Sequence, residues 1–212
     1  MVMNAFMPAQ PHDLLWGMSV AALPADAPAW VVEVLALGHP VVVRRARVAE
    51  GFVAVGVRGR SRDQRYATVM KLSSIAHRVG PEELVGAVEE TAADWPALHA
   101  LTQIRPMMDA LGLPWGVAGS VGFELASGVP VLHQDSDLDL ILRAPDIFSR
   151  QQAAELVEAL DGAACRIDLQ LQTPAGAVAL REWAGSARQV LLKANDAARL
   201  VTNPWSSQEC AA

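Results

Sequence analysis

The chain has 212 residues, 52% of them hydrophobic, and a formal net charge of -6 at pH 7. That length supports one good core or two small ones, and the acidic balance argues against general affinity for a nucleic-acid backbone. The longest apolar run, near Trp30 to Val43, is broken by Glu33 and His39, short of the about 18 unbroken apolar residues of a membrane span, so no transmembrane segment is expected.

The first residues, MVMNAFMPAQPHD, lack the basic start, long apolar centre and small-residue cleavage pattern of a signal peptide, and the protein is expected in the cytoplasm. The two cysteines, Cys165 and Cys210, supply neither a disulfide framework nor a Cys-type zinc site, which fits a reduced compartment. From His12 to about Arg65 the pattern is mostly β. Residues 30–36, 41–48 and 52–58 are Val-rich and bounded by Pro28, Gly38-His39-Pro40, Glu50-Gly51 and Gly59, with Glu50-Gly51 read as a hairpin turn.

The run VGVRGRSRDQRY then sets Arg58, Arg60 and Arg62 at every second position, with Arg65 following. If the strand continues, three guanidiniums line one face as a fork suited to phosphate. The alternative is a solvated edge strand protected by charge. Residues 67–77 are expected to form a helix, and Gly80-Pro81-Glu82-Glu83 looks like another helix start. From there to Gly112 apolar residues recur at helical spacing, interrupted at Pro96 and Pro106, and read as packing helices. A domain boundary is placed near residue 80.

Trp115 to Leu142, WGVAGSVGFELASGVPVLHQDSDLDLIL, is the stretch richest in chemistry. It reads as a strand ending at Gly119-Ser120, a short helix to about Ser127, and a second strand carrying Asp137 and Asp139. Strand alternation puts Asp137, Asp139 and Ile141 on one face and Leu138, Leu140 and Leu142 on the other. Two like charges one pleat repeat apart raise each other's free energy unless a cation lies between them. Mg²⁺ is the natural remedy, because it takes a few carboxylate oxygens and leaves its other positions to water and substrate phosphates. Gly119 and Ser120 add a backbone that a phosphate can approach, a hydroxyl, and N–H groups at the positive end of a helix.

Residues 145–162 read as an amphipathic helix, and 164–173, ACRIDLQLQT, alternates as a strand. Ile167, Leu169 and Leu171 share one face, with Arg166, Asp168, Gln170 and Gln172 on the other, so Asp168 can stand beside Asp137 and Asp139 as a third acid. Residues 177–183 and 186–192 add a further helix or strand before Asn203-Pro204-Trp205. Asp135, Asp137 and Asp139 also imitate the opening of an EF-hand loop, yet its sixth and twelfth positions hold Leu140 and Asp146 instead of Gly and Glu. His133 reads as a loop residue, and Trp115, Trp183 and Trp205 read as packing.

A Gly-Ser turn, a short helix, a D-x-D strand and a third Asp on the next strand resemble the nucleotidyltransferase superfamily of the DNA polymerase β type. The resemblance implies an α+β fold: a small β-rich N-terminal domain, 1–79, then a nucleotidyltransferase domain, 80–212, with a mixed sheet and flanking helices. It also implies two Mg²⁺ ions held by Asp137 and Asp139, with Asp168 on the ion that activates a hydroxyl and the Gly-Ser turn on the leaving phosphates. Sixteen residues lie between Ser120 and Asp137, more than the pattern usually has. Two metals about 3.5–4 Å apart stabilise both oxygens of an in-line displacement, while the protein positions the parts.

Further motifs narrow the likeness. PHDLLW at 11–16, PVVVRRA at 40–46, VAVGVRGRSRDQR at 53–65, WGVAGSVGFELASG at 115–128, SDLDL at 136–140, IDLQLQTPAGAVAL at 167–180, EWA at 182–184 and NPW at 203–205 resemble the malonate decarboxylase holo-[acyl-carrier-protein] synthase family, also called phosphoribosyl-dephospho-CoA transferase. What this implies is transfer of the 2'-(5''-phosphoribosyl)-3'-dephospho-CoA group from triphosphoribosyl-dephospho-CoA to a serine of the decarboxylase's acyl-carrier subunit, with release of pyrophosphate. Gly119 and Ser120 would hold the pyrophosphate. Arg58, Arg60, Arg62 and Arg65 would cradle other phosphates or meet an acidic carrier surface. His12 and Asp13 sit in a family-like motif without a derivable role. Two other readings stay open: a different metal-dependent nucleotidyltransferase acting on another hydroxyl, and a non-catalytic module that binds a decarboxylase subunit.

Overall fold

A computed structural model describes residues 8–61, 63–90 and 93–206. The chain is α+β and divides into two compact units, Met1–Gly80 and Pro81–Ala212.

The N-terminal unit is built on β1 (Leu14–Trp16), β2 (Val41–Val43), β3 (Phe52–Arg58), β4 (Arg65–Lys71) and β5 (His77–Val79), ordered β4-β3-β2-β1-β5 with antiparallel pairing throughout. Leu15, Val31, Val41, Val55 and Val57 are fully buried in its core. Residues 30–36, expected as a strand, are instead helix α1 (Ala29–Ala36). Val31, Val34 and Leu35 fall at the i, i+3, i+4 spacing of one helix face and are buried together. A left-handed Gly38 closes the helix: its N–H donates to the Leu35 carbonyl and that of His39 to Val34, the paired bonds of a Schellman motif.

The strand expected over 41–48 stops at Val43. Arg44 still pairs with Ala54 through its N–H, and the chain then loops out to the Ala49–Phe52 turn, where Gly51 has φ +81°. The helix expected over 67–77 is also corrected. Tyr66, Thr68 and Met70 turn inward while Arg65, Ala67, Val69 and Lys71 are exposed, a period of two, and β4 pairs with β3 along its whole length. His12 is the one non-glycine residue with positive φ among the described residues. It precedes Asp13, which is 1% exposed and accepts from Arg78 Nη1 at 3.0 Å and from the Gln10 N–H at 2.8 Å. The PHD motif thus anchors β1 to β5 inside this unit.

The C-terminal unit opens with 3₁₀ turns, Pro81–Leu84 and Ala87–Glu90, in place of one continuous helix. Helix α2 (Pro96–Ala110) starts with Pro96 in its first turn, where no N–H is needed, and runs on through Pro106. Pro106 removes the N–H that would bond the Thr102 carbonyl, and both residues lie on the exposed face, where the loss is least costly. After β6 (Trp115–Val117) and α3 (Gly119–Ser127) come β7 (Leu138–Arg143), α4 (Arg150–Leu160), β8 (Ile167–Thr173), β9 (Gly176–Ala179), α5 (Leu180–Ala184), β10 (Val190–Lys193) and β11 (Ala198–Val201).

The six-stranded sheet runs β11-β10-β9-β8-β7-β6, and β7 and β8 are its parallel pair. Their crossover is α4, whose Ser149 and Gln152 form a reciprocal capping box. Trp115 and Trp183 are buried, and the three indole N–H groups donate within this unit: Trp115 to Asp109, Trp183 to the Phe148 carbonyl and Trp205 to the Ala144 carbonyl. Among the described residues no helix is long and apolar enough to cross a membrane.

Candidate active site

Three neighbouring strands, β6, β7 and β8, carry the site. Leu138, Leu140 and Leu142 on β7 and Ile167, Leu169 and Leu171 on β8 are buried, which fixes the opposite phase of both strands. Asp137, just before β7, and Asp139 within it therefore share the other face with Asp168, and each of the three is half-buried. In the parallel register Asp139 lies directly beside Asp168, while the Leu138 N–H donates to the Arg166 carbonyl at 2.9 Å.

Further along this face Ile141 is fully buried, because the 3₁₀ turn Pro81–Leu84 covers its neighbour Gly116; a Cβ at Gly116 would run into the Pro81–Glu82 peptide. Glu82 then binds Arg143 at 2.6 Å. One half of the acid-bearing face is thus closed, and the half with the aspartates is left accessible.

The Gly119-Ser120 corner reaches the same place. The Ala118 N–H donates to the Asp139 carbonyl at 2.9 Å, so β6 delivers the chain to β7 just before α3 begins. Gly119 has φ +61°, and a Cβ there would overlap the Asp139 carboxylate. Only a residue without a side chain fits between the turn and the acid. The N-cap residue Ala118 has no side-chain acceptor of its own, and the positive end of α3 lies beside Asp139.

The acids share a face, but among the described residues no three His, Cys, Asp or Glu side chains are gathered tightly enough to hold a metal ion by themselves. The donors available at this corner are carboxylate oxygens, the hard type that suits Mg²⁺, and Mg²⁺ is commonly held by one or two carboxylates with water and substrate phosphates completing its shell. Cys165 lies where β8 begins, and burial pushes its thiol pKa up; the Leu138 backbone works against this and the nearby Asp137 charge adds to it.

The arginines belong to the N-terminal unit and are arranged differently from the expected fork. β3 stops at Arg58 and the chain reverses: the Gly59 N–H donates to Gln64, whose side chain accepts from the Arg60 N–H at 2.9 Å. Arg58 and Arg65 consequently face each other across the β3–β4 ladder, and Arg60 is exposed in the turn between them. Arg65 also donates to the Gln64 carbonyl at 3.1 Å. Arg62, like Cys210, lies outside the described residues.

Sequence patterning does not single out Glu124. It stands on α3, and its Oε2 accepts from the Val131 N–H at 2.6 Å and the Leu132 N–H at 2.7 Å. Its partners are backbone groups in a loop, which leave no residue-type signature.

The model of the phosphoribosyl-dephospho-CoA transferase MdcG N-terminal domain matches residues 10–81, and that of the MdcG C-terminal domain matches residues 83–204. The chain belongs to the phosphoribosyl-dephospho-CoA transferase family. Relatives bearing that name include one from Pseudomonas syringae pv. tomato, 59% identical over 212 residues and covering 100% of both chains. Another from Pseudomonas putida is 58% identical over 203 residues, covering 96% of this chain and 98% of the relative. A third, from Pseudomonas fluorescens, is 60% identical over 201 residues, covering 95% and 97%. No solved structure matches the chain. As a member of this transferase family the chain is an enzyme; its C-terminal family region contains the three aspartates and the Gly119-Ser120 corner, and its N-terminal one contains the arginines.

Proposed function

We propose that this enzyme transfers the 2'-(5''-phosphoribosyl)-3'-dephospho-CoA group from triphosphoribosyl-dephospho-CoA to a serine of the malonate decarboxylase acyl-carrier subunit. The serine oxygen attacks the α-phosphorus of the triphosphate, the bond from that phosphorus to the bridging oxygen breaks, and pyrophosphate departs. A phosphodiester joins the group to the carrier, and the serine proton passes to solvent. The cytoplasm is the proposed compartment.

Asp137 and Asp139 would hold Mg²⁺, two ions during turnover, with Asp168 as the further ligand. When bound, the metal supplies neutralisation of the phosphate charge and a lowered pKa for the attacking hydroxyl. The chain's own residues orient the reactants. Gly119 lets the triphosphate approach the backbone, and Ser120 and the first N–H groups of α3 receive the leaving pyrophosphate; on the N-terminal unit, Arg58, Arg60, Arg62 and Arg65 offer guanidiniums to phosphate or to an acidic carrier surface. The observation that carries this reading is the meeting of Asp139 with both Asp168, its register neighbour, and Gly119, whose missing side chain leaves room for the carboxylate.

The test is the intact mass of the apo carrier subunit after incubation with enzyme, Mg²⁺ and the triphosphoribosyl precursor. The expected result is a mass gain of one phosphoribosyl-dephospho-CoA group, with one pyrophosphate released per carrier. An unchanged carrier mass would overturn the assignment of acceptor, and retained transfer in excess chelator would overturn the metal.

A further inference from the structure

The corner and the acids sit at opposite ends of one connected piece: α3 begins with Gly119, and residues 129–137 lead from its end to the first aspartate. Glu124 ties this piece together. One carboxylate oxygen, Oε2, receives two consecutive backbone N–H groups, those of Val131 and Leu132, at 2.6 and 2.7 Å. Consecutive N–H groups converging on one point form an anion nest, and bonds to an ionised acceptor are about twice as strong as neutral ones.

The rest of the loop is held in series with that clamp. Ser127 Oγ accepts from the Val129 N–H at 3.2 Å, Ser136 Oγ accepts from the His133 N–H at 3.1 Å, and the Ser136 N–H donates to the His133 carbonyl at 3.0 Å. Ser136, adjacent to Asp137, is buried. The long spacing between Ser120 and Asp137 therefore does not become slack.

We propose that Glu124 is a positioning residue for group transfer: its carboxylate clamps residues 131–132 to α3 and so sets Asp137 and Asp139 against the Gly119-Ser120 corner. This rests on the reading of those aspartates as the Mg²⁺ and phosphate site. A displacement of about 1 Å at reacting groups can cost about a hundredfold in rate, so a clamp on the connecting loop acts on kcat without touching substrate.

The experiment combines hydrogen exchange at the Val131 and Leu132 amides with transfer kinetics at varied Mg²⁺, in wild type, Glu124→Ala, Glu124→Gln and Asp137→Asn. Glu124→Ala is expected to speed exchange at those two amides at least about tenfold, as the loss of charge-assisted bonds implies, while Leu140 and Leu169 keep their protection. Its kcat is expected to fall at least about tenfold, with more Mg²⁺ needed for half-maximal rate. Glu124→Gln, which retains an acceptor oxygen without the charge, is expected between the two in both readouts and suffices alone if the alanine variant does not fold. Faster exchange with wild-type kcat and Mg²⁺ dependence in either variant would overturn the proposal, as would unchanged exchange. Asp137→Asn is expected to lose transfer with exchange at Val131 and Leu132 unaltered. Wild-type transfer by that variant would overturn the site reading itself, which separates the two failures.

Discussion

Gly119 is the residue at which conformation and chemistry constrain each other most directly. Its φ of +61° is a conformation that costs an L side chain about 1–2 kcal/mol, and a methyl group would also press on the Asp139 carboxylate. Gly119→Ala is therefore expected to lower stability by about 1–3 kcal/mol and to reduce the transfer rate at least about tenfold by displacing Asp139; thermal unfolding and carrier modification measured on one preparation check both. The aspartates were legible in the sequence because a strand's period of two needs only Leu138, Leu140 and Leu142 to set the phase. Glu124 was not legible, since its carboxylate answers to two backbone N–H groups in a loop and no side-chain pattern records that.

At the level of elements, the acids meet because β7 and β8 are in register, and a slip by one residue would turn Asp168 toward the buried side. Helix α4 makes the crossover that sets this register, and its start is secured by Ser149 and Gln152. Ser149→Ala is expected to cost about 1 kcal/mol, seen as a drop of a few degrees in Tm, with transfer at low temperature nearly unchanged because the register pairs remain. The elements that sequence patterning misassigned were decided by context. In α1 a Val-rich run looks like a strand, and the helix follows from its buried i, i+3, i+4 face and the Gly38 stop. In β4 an apparently helical segment is claimed by pairing with β3, whose neighbouring edge would otherwise be unsatisfied. The arginine fork failed for a related reason: Gly59 and Gln64 reverse the chain at the point where the fork required β3 to continue.

Taken over the whole molecule, the formal charge of -6 conceals a strong asymmetry. Residues 1–80 carry nine Arg or Lys against five Asp or Glu, and residues 81–212 carry eight against eighteen. By charge alone, the first composition favours anionic ligands and the second cationic ones. The central claim is that Asp139, set between Asp168 and the Gly119 turn, is essential to group transfer. The most direct measurement is the initial rate of carrier modification by Asp139→Asn against wild type at saturating Mg²⁺, with thermal unfolding as the control. The account predicts a Tm close to that of wild type, because asparagine keeps the size and shape of the side chain, together with a loss of rate of at least about a hundredfold. A well-folded Asp139→Asn protein that modifies its carrier within a few-fold of the wild-type rate would contradict it.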